Sequence, residues 1–304
     1  MGAPRVLITG GGGFLGGYLL EGLGSRYEVH AGSRSGDLSA PTACVPLDLA
    51  DPTGLELVRR LAPRYVVHNA ALTLPDVCEQ DPAAAYAVNV EGTRLLAEAV
   101  RPSCLRFVYC STDLLFDGSR REWSENDTPA PLMVYGRTKL AGEAAAREVL
   151  GSRAVVARLA LLYGMGRGRA AGRTFTEKML AEARAGHGVR LFVDQYRSPL
   201  HVRDAAWGIE AALRWPEPPP VVHLGGPERV SRFEMGVATL DVFGLDASLA
   251  MPVRMDHVPT EVPRPRDVSF DIRRARSKGF EPMSVREGLR AMRDEMDLLQ
   301  DASE

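Results

Sequence analysis

Tyr135 and Lys139 stand four residues apart in the run Y-G-R-T-K. On a helix that spacing puts both side chains on one face. An ammonium beside a phenol favours the phenolate, because opposite charge stabilises the ionised form. A free tyrosine titrates near about 10 and exchanges protons poorly at neutral pH. Beside Lys139, Tyr135 is expected to move toward working pH and act as an acid or base. Thr112 ends the apolar run L-R-F-V-Y-C-S-T. Such a run reads as a buried strand whose C-terminal tip faces a crevice. A hydroxyl there and a tyrosine at a helix start could grip one carbonyl oxygen.

The elements that would position these groups begin at the first residues. A strand over 5–9 runs into T-G-G-G-G-F-L-G-G-Y-L-L. Gly10, Gly13 and Gly16 are three apart. The first suits a tight turn, the second close approach to a pyrophosphate, and the third helix-on-strand packing. Phe14 and Leu15 open the helix, whose positive end faces phosphate. The second strand, 27–31, is followed by Gly32, Ser33 and Arg34, with no acid to accept from a ribose hydroxyl. A guanidinium and a hydroxyl suit a ribose phosphate, so NADP(H) is the preferred cofactor and NAD(H) the second choice. Strand 43–47 leads to Asp48, which could accept from an adenine amino group, and Leu49, which could pack on the ring. Asp51 with Pro52 caps the next helix better than Asp48 would. Strand 65–69 ends in Asn69, Ala70 and Ala71, whose small side chains would let the backbone lie against a cofactor. His68 reads as a packed strand residue. No His has a partner at ligand spacing, so no catalytic metal is expected.

The chain has 304 residues, 45% of them hydrophobic, enough for one large α/β domain with a smaller lobe. Its net charge of −2 gives no basic field for nucleic acid or a membrane surface. Cys44, Cys78, Cys104 and Cys110 form no C-x-x-C pair, and read as thiols of a reducing compartment. The expectation is a soluble cytoplasmic protein.

Helix 81–100 opens on Asp81-Pro82 and, like helix 135–150, is small-residue-rich over much of its circumference. Helices buried on more than one side would suit a two-fold interface, or simply close packing on the sheet. A long strand, 154–163, ends at G-M-G-R-G-R-A-A-G-R, read as a mobile connector rather than a phosphate-gripping loop. A helix over 174–185, a strand over 189–193, a helix over 204–215, a strand over 221–225, and helices over 231–243 and from 284 follow. The fold class is α/β: a doubly wound parallel Rossmann sheet over 1–163, with 196–226 returning to it. Segments 164–195 and 227–304 would make a smaller C-terminal substrate-binding lobe.

With the ordered set G-x-x-G-x-x-G, D-L, N-A-A, S-T and Y-x-x-x-K, the chain resembles the extended short-chain dehydrogenase/reductases over nearly its whole length. S-T-D-L-L-F-D-G, P-L-M-V-Y-G-R-T-K-L-A-G-E, D-Q-Y-R-S-P-L-H-V-R-D and R-P-R-D-V-S-F-D look like the dTDP-4-dehydrorhamnose reductase family. That resemblance implies NADPH-dependent reduction of a keto group on a nucleotide-activated deoxysugar. It makes Tyr135 the proton donor and Thr112 a partner of the substrate oxygen. Lys139 would hold the nicotinamide ribose, and Asp113 and Thr73 would stand against the sugar. Arg197 occupies a position where that family often has glycine, and is counted with the substrate residues. The strand after the Tyr–Lys helix reads R-L-A-L-L-Y-G, without the family's tryptophan. A second reading is a regulatory subunit similar to the methionine adenosyltransferase β subunit, which binds a nucleotide and a partner enzyme. A third is a sugar-nucleotide epimerase. A dehydratase fits less well, because Asp113 is followed by Leu114 rather than an acid.

Overall fold

The computed structural model describes residues 2–35 and 42–301. Its centre is a seven-stranded sheet in the order β7-β6-β5-β4-β1-β2-β3. The strands are β1 (Arg5–Thr9), β2 (Glu28–Ser33), β3 (Ala43–Pro46), β4 (Tyr65–His68), β5 (Arg106–Thr112), β6 (Ala154–Leu159) and β7 (Val221–Leu224). All six pairings are parallel. Parallel strands covered on both faces must be apolar throughout. Val6, Leu7 and Ile8 are all fully buried, as are Val66 and Val67.

Helices α1 (Phe14–Leu23), α2 (Leu55–Leu61), α3 (Gly92–Val100), α4 (Val134–Leu150), α5 (Phe175–Arg184), α6 (Val202–Arg214), α7 (Arg232–Val242) and α8 (Val285–Asp301) complete the frame. One sheet face carries α1 and α6, with Leu19, Leu23, Ile209 and Leu213 in its core. The other carries α2, α3 and α4 around Leu96, Val100, Tyr109, Ala146 and Leu150. Away from the sheet, Val189–Phe192 pairs with Ala250–Val253, over a separate core of Met179, Leu191 and Leu240. Segment 273–280 comes back to the sheet: Ala275 and Phe280 are buried in the α1/α6 core.

The single helix expected over 81–100 is three pieces. Pro82–Tyr86 is α-helical, Ala87–Glu91 is a π-turn, and α3 follows. Asp81 caps the first piece, accepting from the Ala84 N–H at 2.9 Å. The strand expected over 154–163 also divides. β6 stops at Leu159, where its neighbour β7 runs out at Leu224 into Gly225 and Gly226. The chain then takes a new partner, Leu162–Tyr163 pairing with Leu200–His201. A short helix over Pro75–Gln80 was not signalled by periodicity, since six residues barely complete a turn and a half. No helix among the described residues is long and apolar enough to cross a membrane.

Candidate active site

At the β1–α1 junction the backbone folds under itself. Gly10 has φ +70°, and a Cβ there would stand 3.0 Å from the Ala70 backbone. Only glycine takes that conformation without strain and lets β4's exit lie so close. The Gly10 N–H donates to Gly32 O at 2.9 Å, tying the turn to β2. Thr9 fixes the same corner: its Oγ1 accepts from the Asn69 and Ala70 N–H groups at 3.1 and 3.0 Å.

A cleft of 660 Å³ opens above this turn. Gly10, Gly13, Phe14 and Leu15 form its floor. Ser33 and Arg34 stand at the β2 end, and Asp48 and Leu49 at the β3 end. Asn69, Ala70, Ala71 and Thr73 line the β4 side. Gly16 lies off the wall; a Cβ there would meet Gly10 O at 2.2 Å, so its role is close approach of α1 to the turn. β2 continues through Ser33, two residues past the expected end, because Ser33 O accepts from the Leu47 N–H at 3.1 Å. A backbone-lined floor at a helix start and a volume of this size fit a dinucleotide. Glycines would hold its diphosphate, Ser33 and Arg34 its adenosine ribose, and Asp48 and Leu49 its base.

Thr112, Tyr135 and Lys139 are off that wall and buried, at 7%, 8% and 3% exposure. Leu72 connects the two regions, lining the cleft and packing on Tyr135 with Val134, Cys78 and Leu114. Thr112 donates to Asp113 Oδ1 at 3.3 Å and accepts from the Leu114 N–H at 3.2 Å. The phenol does not follow the expectation of a lowered pKa. Burial pushes it well above its ordinary value, Asp113 adds to the rise, and a hydrogen bond with Thr112 works against it. Desolvation of a buried phenolate is the dominant cause. Lys139 instead sits over the Tyr109 ring, 4.1 Å from its centroid, and burial lowers its pKa to about 8.

Asp113 and Arg197 meet at the far side, Nε to Oδ2 at 4.0 Å, both side chains 7% exposed. Burial raises the Asp113 pKa, with Arg197 opposing it, and Oδ2 has no hydrogen-bond partner. Arg197 also donates to Tyr196 O at 2.6 Å and Pro265 O at 3.3 Å.

Three residues that sequence reasoning passed over hold this site in place. Asn89, in the π-turn, accepts from the Leu72 N–H at 2.8 Å and donates to Leu72 O at 3.1 Å. It also donates to Thr138 Oγ1 at 3.0 Å, and Thr138 donates to Tyr135 O at 3.0 Å. An asparagine inside a helical run was the available signal, since it is a poor interior residue. Glu143 of α4 and Arg158 of β6 form a two-pronged buried pair, both bonds at 2.9 Å. His68 is the packed strand residue expected: its ring bonds Thr9 at 2.8 Å and Thr93 at 2.9 Å.

The Gly/Arg-rich segment is not a loose connector. Gly166 and Gly172 N–H groups both donate to Glu177 Oε1 at 3.1 Å, and Arg169 and Ala170 line the cleft. Its glycines suggested mobility, but Arg167 finds the carboxylates of Glu21 and Glu295 in distant segments, which spacing could not reveal.

Where a glycine turn and a Tyr-x-x-x-Lys helix flank one edge of a parallel sheet, the class is the extended short-chain dehydrogenase/reductases, an oxidoreductase class of nucleotide-binding Rossmann fold. Within it, the chain belongs to the family described as RmlD substrate binding domain, which matches residues 4–298. It is 33% identical over 287 residues to dTDP-4-dehydrorhamnose reductase of Mycobacterium tuberculosis, covering 92% of this chain and 89% of that one. It is 30% identical over 298 residues to methionine adenosyltransferase 2 subunit beta of Pongo abelii, covering 91% and 83%. The crystal structure of dTDP-4-dehydrorhamnose reductase from Bacillus anthracis in complex with NADP superposes with a TM-score of 0.86. That match is at 27% identity over 97% of this chain and 100% of that one.

Proposed function

We propose that this chain reduces the keto group of a nucleotide-activated deoxysugar with NADPH, in the manner of a dTDP-4-dehydrorhamnose reductase. The observation that carries it is a buried Tyr135 packed on Leu114, two residues past Thr112 at the end of β5, and on Leu72, which lines a glycine-floored cleft. Bound there, the nicotinamide supplies the hydride. Tyr135 gives its proton to the developing alkoxide. Thr112 steadies that oxygen where charge builds, which lowers the barrier more than it tightens ground-state binding. Lys139 supplies positive charge behind the phenol, and Asp113 with Arg197 orients the sugar. The test is to mix the protein with NADPH and dTDP-, UDP- or GDP-linked keto-sugars and follow NADPH absorbance. Cofactor oxidation with one of them supports the reading; none with any of them sinks it.

The relative named as a methionine adenosyltransferase subunit, and a phenol whose pKa rises rather than falls, favour a second reading. In that reading the chain binds a nucleotide and regulates a partner enzyme. NADPH binding without oxidation, together with a stable complex with a methionine adenosyltransferase catalytic subunit, would select it.

The same proposal includes a homodimer through helices 81–100 and 135–150. A hollow on the outer face of α4, lined by Ala130, Pro131, Arg137, Leu140, Ala141 and Ala144, supports it. Ala144→Glu is expected to yield a monomer by light scattering, where the parent chain gives a dimer.

A further inference from the structure

The helix that carries Tyr135 opens without a cap of its own. Met133 precedes it with no side-chain bond to its N–H groups, and its first turn holds no acid. The first N–H groups of a helix have no partner inside it and gather partial positive charge, so a carboxylate is their natural complement. Here the carboxylate comes from another element. Glu79, in the short helix Pro75–Gln80, accepts from the Val134 N–H at 2.6 Å. That bond fixes the backbone one residue before the phenol.

The same short helix reaches two more parts of the site. Cys78 is fully buried, packs with Tyr135, and donates to Leu72 O at 3.5 Å; Leu72 lines the cleft. Asp76 accepts from Arg264 Nη2 at 2.8 Å, across 188 residues of chain. Arg264 precedes Pro265, whose carbonyl accepts from Arg197, the guanidinium that faces Asp113. Six residues thus join the segment around Arg264 to the start of α4, with Tyr135 between. Their outer side is open to solvent: Leu74 and Val77 are exposed, and the Asp76 side chain is 66% exposed.

We propose that Glu79 is a positioning residue for Tyr135, and that the Asp76–Arg264 pair makes its hold on α4 depend on the segment that carries Arg264. This rests on the reductase reading given above. A misplacement of about 1 Å can cost a hundredfold in rate, so a helix start held from outside is a sensitive point. Both carboxylates act through the short helix between them.

The test reads the full chain in two ways. One is steady-state kinetics with NADPH and the keto-sugar nucleotide it turns over; the other is hydrogen–deuterium exchange in the first turn of α4. Glu79→Ala is expected to lower kcat by about tenfold to a hundredfold, with substrate KM and NADPH Kd within about twofold. Exchange at Val134 should quicken by about threefold to thirtyfold, the fold-change of a lost cap. Glu79→Gln keeps an acceptor oxygen for that N–H and should recover most of kcat. Asp76→Ala leaves Glu79 in place, yet should lower kcat by about threefold or more and quicken exchange at Val134. In the double variant the Asp76 change should add little, since both act along one path. A Glu79→Ala chain that loses stability in urea but keeps kcat would reduce Glu79 to a plain cap and overturn the proposal. So would Asp76→Ala exchange that quickens only within residues 74–80, or effects of the two substitutions that simply add. Should Glu79→Ala not fold, the Asp76→Ala exchange decides by the same criterion. If the unaltered chain oxidises NADPH with no keto-sugar, the reductase reading falls, while the exchange arm still tests the coupling.

Discussion

In the proposed reaction Tyr135 gives up the proton, and its surroundings set what can be tested. Tyr135→Phe removes the proton and little volume. Turnover should fall by about a hundredfold to ten-thousandfold, the usual range for a lost general acid, with NADPH affinity unchanged. Steady-state kinetics beside a binding titration separates the two effects. Lys139 yields a pH prediction with a definite sign. Unfolded, it titrates at the ordinary 10.5; folded, at about 8. Between those values the unfolded chain holds a proton the folded chain has released. Stability contributed by this group therefore rises as pH climbs from about 8 to 10.5, and its burial penalty is full below about 8. Lys139→Met should be more stable than the parent at pH 7, with the difference shrinking by pH 10 in urea unfolding. In the catalytic reading, activity should decline above about pH 8 as the ammonium is lost.

At the scale of elements, α4 is placed by contact with the π-turn and β5. A Cβ on Gly142 would lie 2.3 Å from the Tyr109 hydroxyl and 2.5 Å from Asn89 O. Gly142→Ala is expected to push α4 outward, costing about 1–3 kcal/mol as overpacking does and lowering turnover with it, since Tyr135 rides on that helix. Chemical denaturation and kcat together check it. The Glu143–Arg158 pair ties the same helix to β6. Glu143→Ala would strand a buried guanidinium at a cost of about 3–5 kcal/mol, while replacing both partners by Met should cost far less. The sheet was legible because most of its strands centre on short apolar runs, as V-L-I in β1 and A-V-V-A in β6, and the glycine turn because its spacing has one economical use. Local patterns stop short where tertiary pairing decides. The break between β6 and Leu162–Tyr163 depends on where β7 ends, and the π-turn at Asn89 depends on hydrogen bonds to Leu72 and Thr138. The direction of the Tyr135 shift escaped for the same reason. Four-residue spacing reveals a neighbour, but burial is a property of the assembled core.

For the molecule as a whole, three histidines are buried and neutral. His68 and His223 are each lowered to about 3, and His201 to about 4, burial being the main cause in each. Unfolded, each takes a proton near about 6.5. Their contribution is complete above that value and is lost as pH falls toward 3 to 4. Acid unfolding should therefore steepen below pH 6, with each histidine adding up to about 1.4 kcal/mol per pH unit. His201→Gln is expected to flatten the pH dependence of the urea midpoint between pH 4.5 and 6. An unchanged slope would mean that this imidazole is protonated in the folded chain. The far end of the chain has a related hold on the molecule. Glu295 of α8 accepts from Tyr18 of α1, from Arg167 beside the cleft, and from Arg203 of α6. One carboxylate near the C-terminus thus braces the first helix and the cleft's outer rim. Trimming the chain ahead of residue 295 to obtain a tidier nucleotide-binding fragment would cut that brace, so a protein engineer should leave the last helix whole.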